Sequence, residues 1–248
     1  MLWRILEAHR WHLPSDVRVV FANTGKEANA TLDFIRACDE RWMVPITWVE
    51  YRKAPKSKDR WNQVTWLSAA RSGEPYAALV TAKSHLPNPV MRFCTTGLKI
   101  DPIKSLCKSF GWDEWMTAMG IRADEPRRVA KLRTQADKFA PLAEAGIGLA
   151  EVTEFWRAHP FDLELESHNG ITPMGNCDLC FLKGPRQILS LIRSNPHLAD
   201  WWVEQESKIG ARFRSDRPDY ARLAAIAESH DDLFGFDDTS IADCLCTD

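Results

Sequence analysis

The chain has 248 residues, a formal net charge of −2 and a hydrophobic fraction of 45%. That length and apolar content support a sizeable core, in one large domain or one domain with a helical extension. The near-neutral charge argues against broad nucleic-acid affinity. No apolar run reaches the roughly 20 residues that a membrane-spanning helix needs.

The first eleven residues predict an amphipathic helix, with Leu2, Trp3, Ile5 and Leu6 set among Arg4, Glu7 and Arg10. Their charge is unlike a signal peptide, so the expected location is the cytoplasm. In that reducing compartment seven cysteines favour metal or redox chemistry over disulfides. Residues 17–22 form a short β-branched run and predict a buried strand. Asn23-Thr24-Gly25 then turns into a helix bearing Leu32, Ile35, Cys38 and Trp42, and Ile46–Tyr51 reads as a second strand. Strand, helix, strand over this span is a parallel crossover unit. In open parallel sheets ligands bind at the carboxyl ends of the strands, where Asn23, Thr24 and Gly25 fall.

Residues 64–67 suggest another strand and residues 76–83 a short helix. The densest basic run, Arg52 to Arg60, reads as a solvated loop, with a substrate-facing role as the alternative. Asp101-Pro102 predicts a helix start, since Asp suits the N-cap and Pro the first helical position. Residues 115–121 predict a buried strand that ends at Arg122, with Arg127 and Arg128 on a helix beyond it. Helices are expected from residue 149 to 159, from Pro185, from Pro196 and from Pro218.

Two groups of residues carry chemistry. One is a set of thiols: Cys94, and the pair Cys177-Asp178-Leu179-Cys180. Two cysteines three apart grip one ion or one cluster edge from a single turn, and a third thiolate has to come from elsewhere in the fold. The other is a pair of cations, Lys99 and Arg122, which suits an anion, with a structural ion pair of Arg122 to Asp124 or Glu125 as the alternative. Cys107 is either core or a further ligand.

The order Cys94, Lys99, Pro102, Gly120-Ile121-Arg122, Cys177-x-x-Cys180 resembles the sulfonucleotide reductase family of the PP-loop, or adenine nucleotide alpha hydrolase-like, superfamily. It looks nearest to the phosphoadenylyl sulfate reductase-like proteins of phage and mobile DNA. The resemblance covers roughly residues 17–184. It implies an α/β fold: an open, mostly parallel sheet with helices on both faces, here over residues 1–148, followed by a helical, cysteine-containing region over residues 149–248.

The resemblance also implies a function. An iron-sulfur cluster, 4Fe-4S in type, would be held by Cys94, Cys177 and Cys180. Its fourth ligand is open between Cys107, a tail cysteine and a non-protein group. An adenine nucleotide or adenylyl sulfate would meet Asn23, Thr24 and Gly25, with its anionic group on Lys99, Arg122 and Arg128. Reductases of the family attack sulfur with a tail cysteine, a role that falls here to Cys244 and Cys246, served by a thiol electron donor. Two other readings stay open: ATP-dependent sulfur transfer to a nucleic acid, and a non-enzymatic protein stapled by zinc.

The family opens with a strand and a Ser-Gly-Gly-x-Asp-Ser loop that holds phosphate. No Gly-Gly pair occurs in this chain. The expectation is a chain start that falls after that first strand, leaving an open edge beside residues 17–22, with a degenerate nucleotide-binding protein that has lost the phosphate loop and ATP cleavage as the alternative.

Overall fold

The computed structural model describes residues 1–167 and 172–229. It is an α/β structure in which a small sheet is surrounded by helices. The first helix, α1, is Leu2–Ala8. Strand β1, Val19–Asn23, leads through helix α2, Asn29–Trp42, into strand β2, Ile46–Tyr51. β1 and β2 pair in parallel, Val19 opposite Ile46 and Asn23 opposite Glu50, so the expected crossover unit is present.

The sheet departs from expectation at its third strand. β3 is Trp61–Val64, slightly before the predicted segment, and it pairs with β2 antiparallel. The sheet is therefore mixed rather than mostly parallel, in the order β1-β2-β3. The basic run from Arg52 to Arg60 is the reason. It closes a hairpin in which Arg52 Nε donates to Asp59 O at 2.8 Å and Arg60 Nε to Ala54 O at 2.9 Å. A connection this short allows only an antiparallel return. Among the described residues β1 pairs on its β2 side alone.

Strand alternation sorts the side chains to two faces. Val20, Ala22, Val49 and Trp61 face helix α5, Asp101–Ser109, through Ile103 and Leu106. Phe21, Ile46, Trp48 and Val64 face α2 through Leu32 and Ile35. Helices thus cover both faces. Next to them stand α3, Glu74–Lys83, and a continuous helical stretch that begins before α5: α4, Phe93–Thr95, then a π-helical turn, Thr96–Ile100. Asp101 is accordingly no N-cap, because helix already precedes it. Pro102 lacks the N–H that a regular α-helix would use, and the widened turn just before it absorbs that loss. At Gly97 this turn lies so close to α3 that a Cβ would stand 2.7 Å from Leu79 Cδ2.

The predicted strand at residues 115–121 is not part of the main sheet. Only β4, Thr117–Ala118, is extended and paired, in parallel with β5, Lys138–Phe139. With α6, Pro126–Leu132, and α7, Pro141–Glu144, these form a small lobe around Ile121, Leu132 and Ala140.

The remaining helices are α8, Leu149–Ala158; α9, Pro185–Ser194; α10, Leu198–Ile209; and α11, Tyr220–Ser229, close to the predicted ones. α8 packs Trp156 against Leu6, Trp42 and Phe34 of α1 and α2. The largest apolar cluster joins Tyr76, Leu79 and Leu98 to Leu179, Ile188, Trp202, Phe213 and Leu223. One core is therefore shared by residues on either side of position 148. No helix of the described residues is long and apolar enough to cross a membrane.

Candidate functional site

The loop after β1 and the Cys-x-x-Cys turn are built against each other. Glu27 and Cys177 form an isolated antiparallel bridge, and Asp178 N donates to Lys26 O at 2.8 Å. Lys26 Nζ lies 2.8 Å from Asp178 Oδ2, with both side chains more than 90% buried. Asp178 Oδ1 accepts from Trp202 Nε1 at 2.8 Å and from Leu179 N at 2.6 Å. The turn is held from its other side by Tyr220, whose hydroxyl donates to Leu179 O at 2.6 Å, and by Arg217 Nη1, which donates to Lys183 O at 2.7 Å. Loop, turn, α10 and α11 thus form one buried polar lattice.

The three expected thiols lie in or against the apolar core beside it. Cys177 and Cys180 belong to the main core cluster and Cys94 packs against it. All three act on the phenol of Tyr76, which is hydrogen-bonded to Cys94, and burial first, then these sulfurs, holds that phenol well above its usual titration range. Thr24 Oγ1 stands 3.6 Å from Cys177 Sγ. The same oxygen donates to Glu27 Oε2 at 2.8 Å and accepts from Lys26 N at 3.2 Å. Since a carboxylate only accepts, the Thr24 proton goes to Glu27, and a protonated Cys177 donates to Thr24.

The donor set therefore has the softness that iron or zinc requires. Among the described residues no three of His, Cys, Asp or Glu are drawn tightly enough together to hold a metal ion. All three cysteines act electrostatically on the Tyr76 phenol.

The other expected residues fall as follows. Asn23 is fully buried: its Nδ2 donates to Glu50 Oε1 at 2.6 Å and to Ala70 O at 2.9 Å, while Oδ1 accepts from Gly25 N at 3.1 Å. Glu50 also accepts from Ala70 N, and burial raises its pKa against these bonds. A Cβ at Gly25 would lie 3.0 Å from Pro75 Cδ, so the turn before α3 covers this loop. Asn23 and Thr24 are thus bonded within the protein. Lys99 is half-buried on the π-helical turn, next to Leu98 of the cysteine-bearing core.

Arg122 and Arg128 lie in the small lobe, whose core is separate from the one that holds the cysteines. Arg122 Nε is 2.9 Å from Asp124 Oδ1, and Arg128 Nη1 is 2.6 Å from Glu125 Oε1. Glu125 also accepts from Arg122 N at 2.9 Å. Burial pushes the Glu125 carboxyl up, but the Arg122 amide and the Arg128 guanidinium outweigh it and hold the pKa low. The predicted strand that would have carried Arg122 to the nucleotide is absent, so both cations meet in a structural ion-pair cluster. Cys107 is buried on α5, where burial raises its thiol pKa, and it is no member of the cysteine-bearing core. Cys244 and Cys246 lie outside the described residues.

Sequence reasoning missed Lys26, Tyr76, Asp178, Trp202 and Tyr220. The tryptophan pair was legible as packing. Nothing in the spacing of Tyr76 linked it to thiols more than a hundred residues away.

The chain is 28% identical over 194 residues to the uncharacterized nin region protein ORF290 of Escherichia phage lambda. That alignment covers 76% of this chain and 63% of the phage protein, so the chain spans a little under two thirds of its relative. No protein-family model matches the sequence. No solved structure matches it.

Proposed function

From the thiols that pack in or against one core beside the β1 loop, we propose that the chain binds an iron-sulfur cluster through Cys94, Cys177 and Cys180 and works in sulfur-handling redox chemistry of the sulfonucleotide reductase type. The observation that carries this is that three cysteines, from two distant parts of the chain, pack in or against one core and all act on the same buried phenol. A cluster bound there supplies one-electron chemistry and a strong local charge. The residues of the chain hold it: Lys26 and Asp178 fix the Cys177 turn, and the helical stretch from Phe93 presents Cys94.

The nucleotide part of the proposal, an adenine nucleotide or adenylyl sulfate, rests on Lys99 and on the resemblance. Asn23, Thr24, Arg122 and Arg128 make internal bonds and add no support to it.

Anaerobic purification followed by iron, sulfide, zinc and nucleotide analysis tests the reading. The expected result is iron and acid-labile sulfide in equal amounts, lost in Cys94→Ser, Cys177→Ser and Cys180→Ser while Cys38→Ser keeps them. Zinc alone, or iron content indifferent to Cys94→Ser, overturns it.

A further inference from the structure

Residues 52–60 carry five cations and one acid in a chain whose formal charge is −2. They join β2 to β3, and all five cations, Arg52, Lys53, Lys56, Lys58 and Arg60, are exposed. Among the described residues none of the five has a carboxylate within ion-pair distance. Exposed cations elsewhere do: Arg36 pairs with Glu40 at 2.6 Å and Lys208 with Glu204 at 2.7 Å. The hairpin also holds two of its charges in place. Arg52 N donates to Arg60 O at 3.2 Å, which extends the ladder one pair beyond Tyr51 and Trp61. Arg52 Nε donates to Asp59 O, while Arg60 Nε and Nη2 donate to Ala54 O and Pro55 O. Arg52 thus keeps both Nη groups, and Arg60 its Nη1, for an outside acceptor. Like charges this close repel one another, and fixing long side chains costs entropy. A loop that needed only to be soluble would require neither.

We propose that this hairpin is a contact for the phosphodiester backbone of a nucleic acid. Its place in the fold gives the contact a purpose. The hairpin leaves the sheet at the carboxyl end of β2. Asn23 lies opposite Glu50, so the loop after β1, with the Cys177 turn docked on it, stands at the same end. A polyanion on the hairpin is therefore held at the end of the sheet that carries the candidate site. The composition of the hairpin selects the kind of polyanion. Between Arg52 and Arg60 the apolar side chains are Ala54 and Pro55, too small to be the buried anchors on which protein partners depend. The attraction is electrostatic, and it gains most from a partner that releases condensed counterions on binding, which is nucleic acid. Guanidinium groups already fixed lose less freedom on meeting phosphate. The near-neutral charge of the whole chain argues against broad affinity and not against one basic tip. The inference is independent of the cluster reading.

The experiment is fluorescence anisotropy of a short fluorescein-labelled DNA duplex of mixed sequence, titrated with the full chain between about 50 and 200 mM salt. Each phosphate contact adds about −0.9 to the slope of log K against log salt, so five contacts give a slope approaching about −4.5. The triple variant Lys53→Gln/Lys56→Gln/Lys58→Gln is expected to bind about tenfold or more weakly at low salt, with a slope shallower by about 2.7. Arg133→Gln/Lys208→Gln/Arg212→Gln removes the same charge from exposed positions on other elements and is expected to keep both affinity and slope. Equal losses in the two triple variants, a slope indifferent to the hairpin lysines, or no binding by wild type at about 50 mM salt overturns the proposal.

A competition separates nucleic acid from the rival occupant, an acidic peptide. Residues 230–248 of this chain supply the probe, with six aspartates and no lysine or arginine. That synthetic peptide is expected to need about tenfold or more the concentration of unlabelled duplex to displace the labelled one, because it has no condensed counterions to release. Displacement by the peptide at the same concentration as the duplex gives the hairpin to an acidic protein segment and overturns the nucleic-acid assignment.

Discussion

At the scale of single residues, the candidate site is held by positions that admit no other side chain. Gly73 has φ +83°, and a Cβ there would overlap Trp201 Nε1 and lie 2.7 Å from Trp201 Cε2. The left-handed backbone costs a non-glycine residue roughly 1–2 kcal/mol, and displacing a packed indole adds about 1–3 kcal/mol. Gly73→Ala should therefore destabilise the protein by about 2–4 kcal/mol in urea unfolding. Gly184→Ala is the control: its φ is −63° and it has nothing within 4 Å of the added methyl, so it should be near neutral. Equal losses in the two variants would show that the Trp201 contact is not what Gly73 protects. Cys38 illustrates the opposite case. Burial pushes its thiol up to about 12, as for a small apolar core residue.

At the scale of elements, the decisive contact is between the loop after β1 and the Cys-x-x-Cys turn. Lys26 and Asp178 form a buried ion pair whose carboxylate also receives the Trp202 N–H. Breaking such a pair from one side leaves a charge buried without its counterion, at about 3–5 kcal/mol. Asp178→Ala should cost that much. Lys26→Met should cost less, because the carboxylate keeps the Trp202 and Leu179 N–H donors. The double variant Lys26→Met/Asp178→Asn should recover most of the loss, since it removes both charges and keeps an acceptor for Trp202. Additive losses in a double-mutant cycle, followed by urea unfolding, would mean that the two side chains do not act as a pair. The same contact explains why Asn23 and Thr24 do not face solvent: the turn docks where an open loop was expected.

At the scale of the whole molecule, two of the apolar clusters join helices far apart in the chain. One is the shared core around the cysteines. The other is an aromatic group joining α1, α2 and α8, in which Trp42 Nε1 donates to His159 Nε2 at 3.2 Å and Trp3 meets the His159 ring at 4.8 Å. Desolvation lowers the His159 pKa below its ordinary value of 6.5. The folded state thus binds this proton less readily than the unfolded chain. Stability from the neutral ring is fully present above 6.5 and is lost as pH falls through the folded-state value. The melting temperature should fall as pH drops below about 6.5, with tryptophan fluorescence changing in step. His159→Gln keeps an acceptor for Trp42 without the titration and should flatten that limb. An unaltered limb would assign the acid sensitivity to other groups.

The sequence by itself determined much of this molecule. The β-branched run at residues 17–22, the turn at Asn23-Thr24-Gly25 and the periodic apolar residues of α2 fixed the crossover unit, because local patterning of period 2 and 3.6 decides which faces are buried. Prolines at the start of α9 and the apolar positions Ile188, Leu191 and Ile192 fixed the helical region in the same way. The thiol pair was legible as a unit because its spacing is local. What only tertiary structure decided was pairing over distance. The hairpin at residues 52–60 reverses β3, a choice made by loop length and hydrogen bonding rather than by strand composition. Residues 115–121 are apolar enough for a strand, yet only two of them find a paired neighbour. The pairing of Arg122 with Asp124 and Glu125, two and three residues on, was within local reach of the sequence; the fold decided that no main-sheet strand carries Arg122. The packing of Cys94 against the core that holds Tyr76 and Cys177 goes with α3 lying against the π-helical turn, and no local periodicity encodes a shared core across a hundred residues.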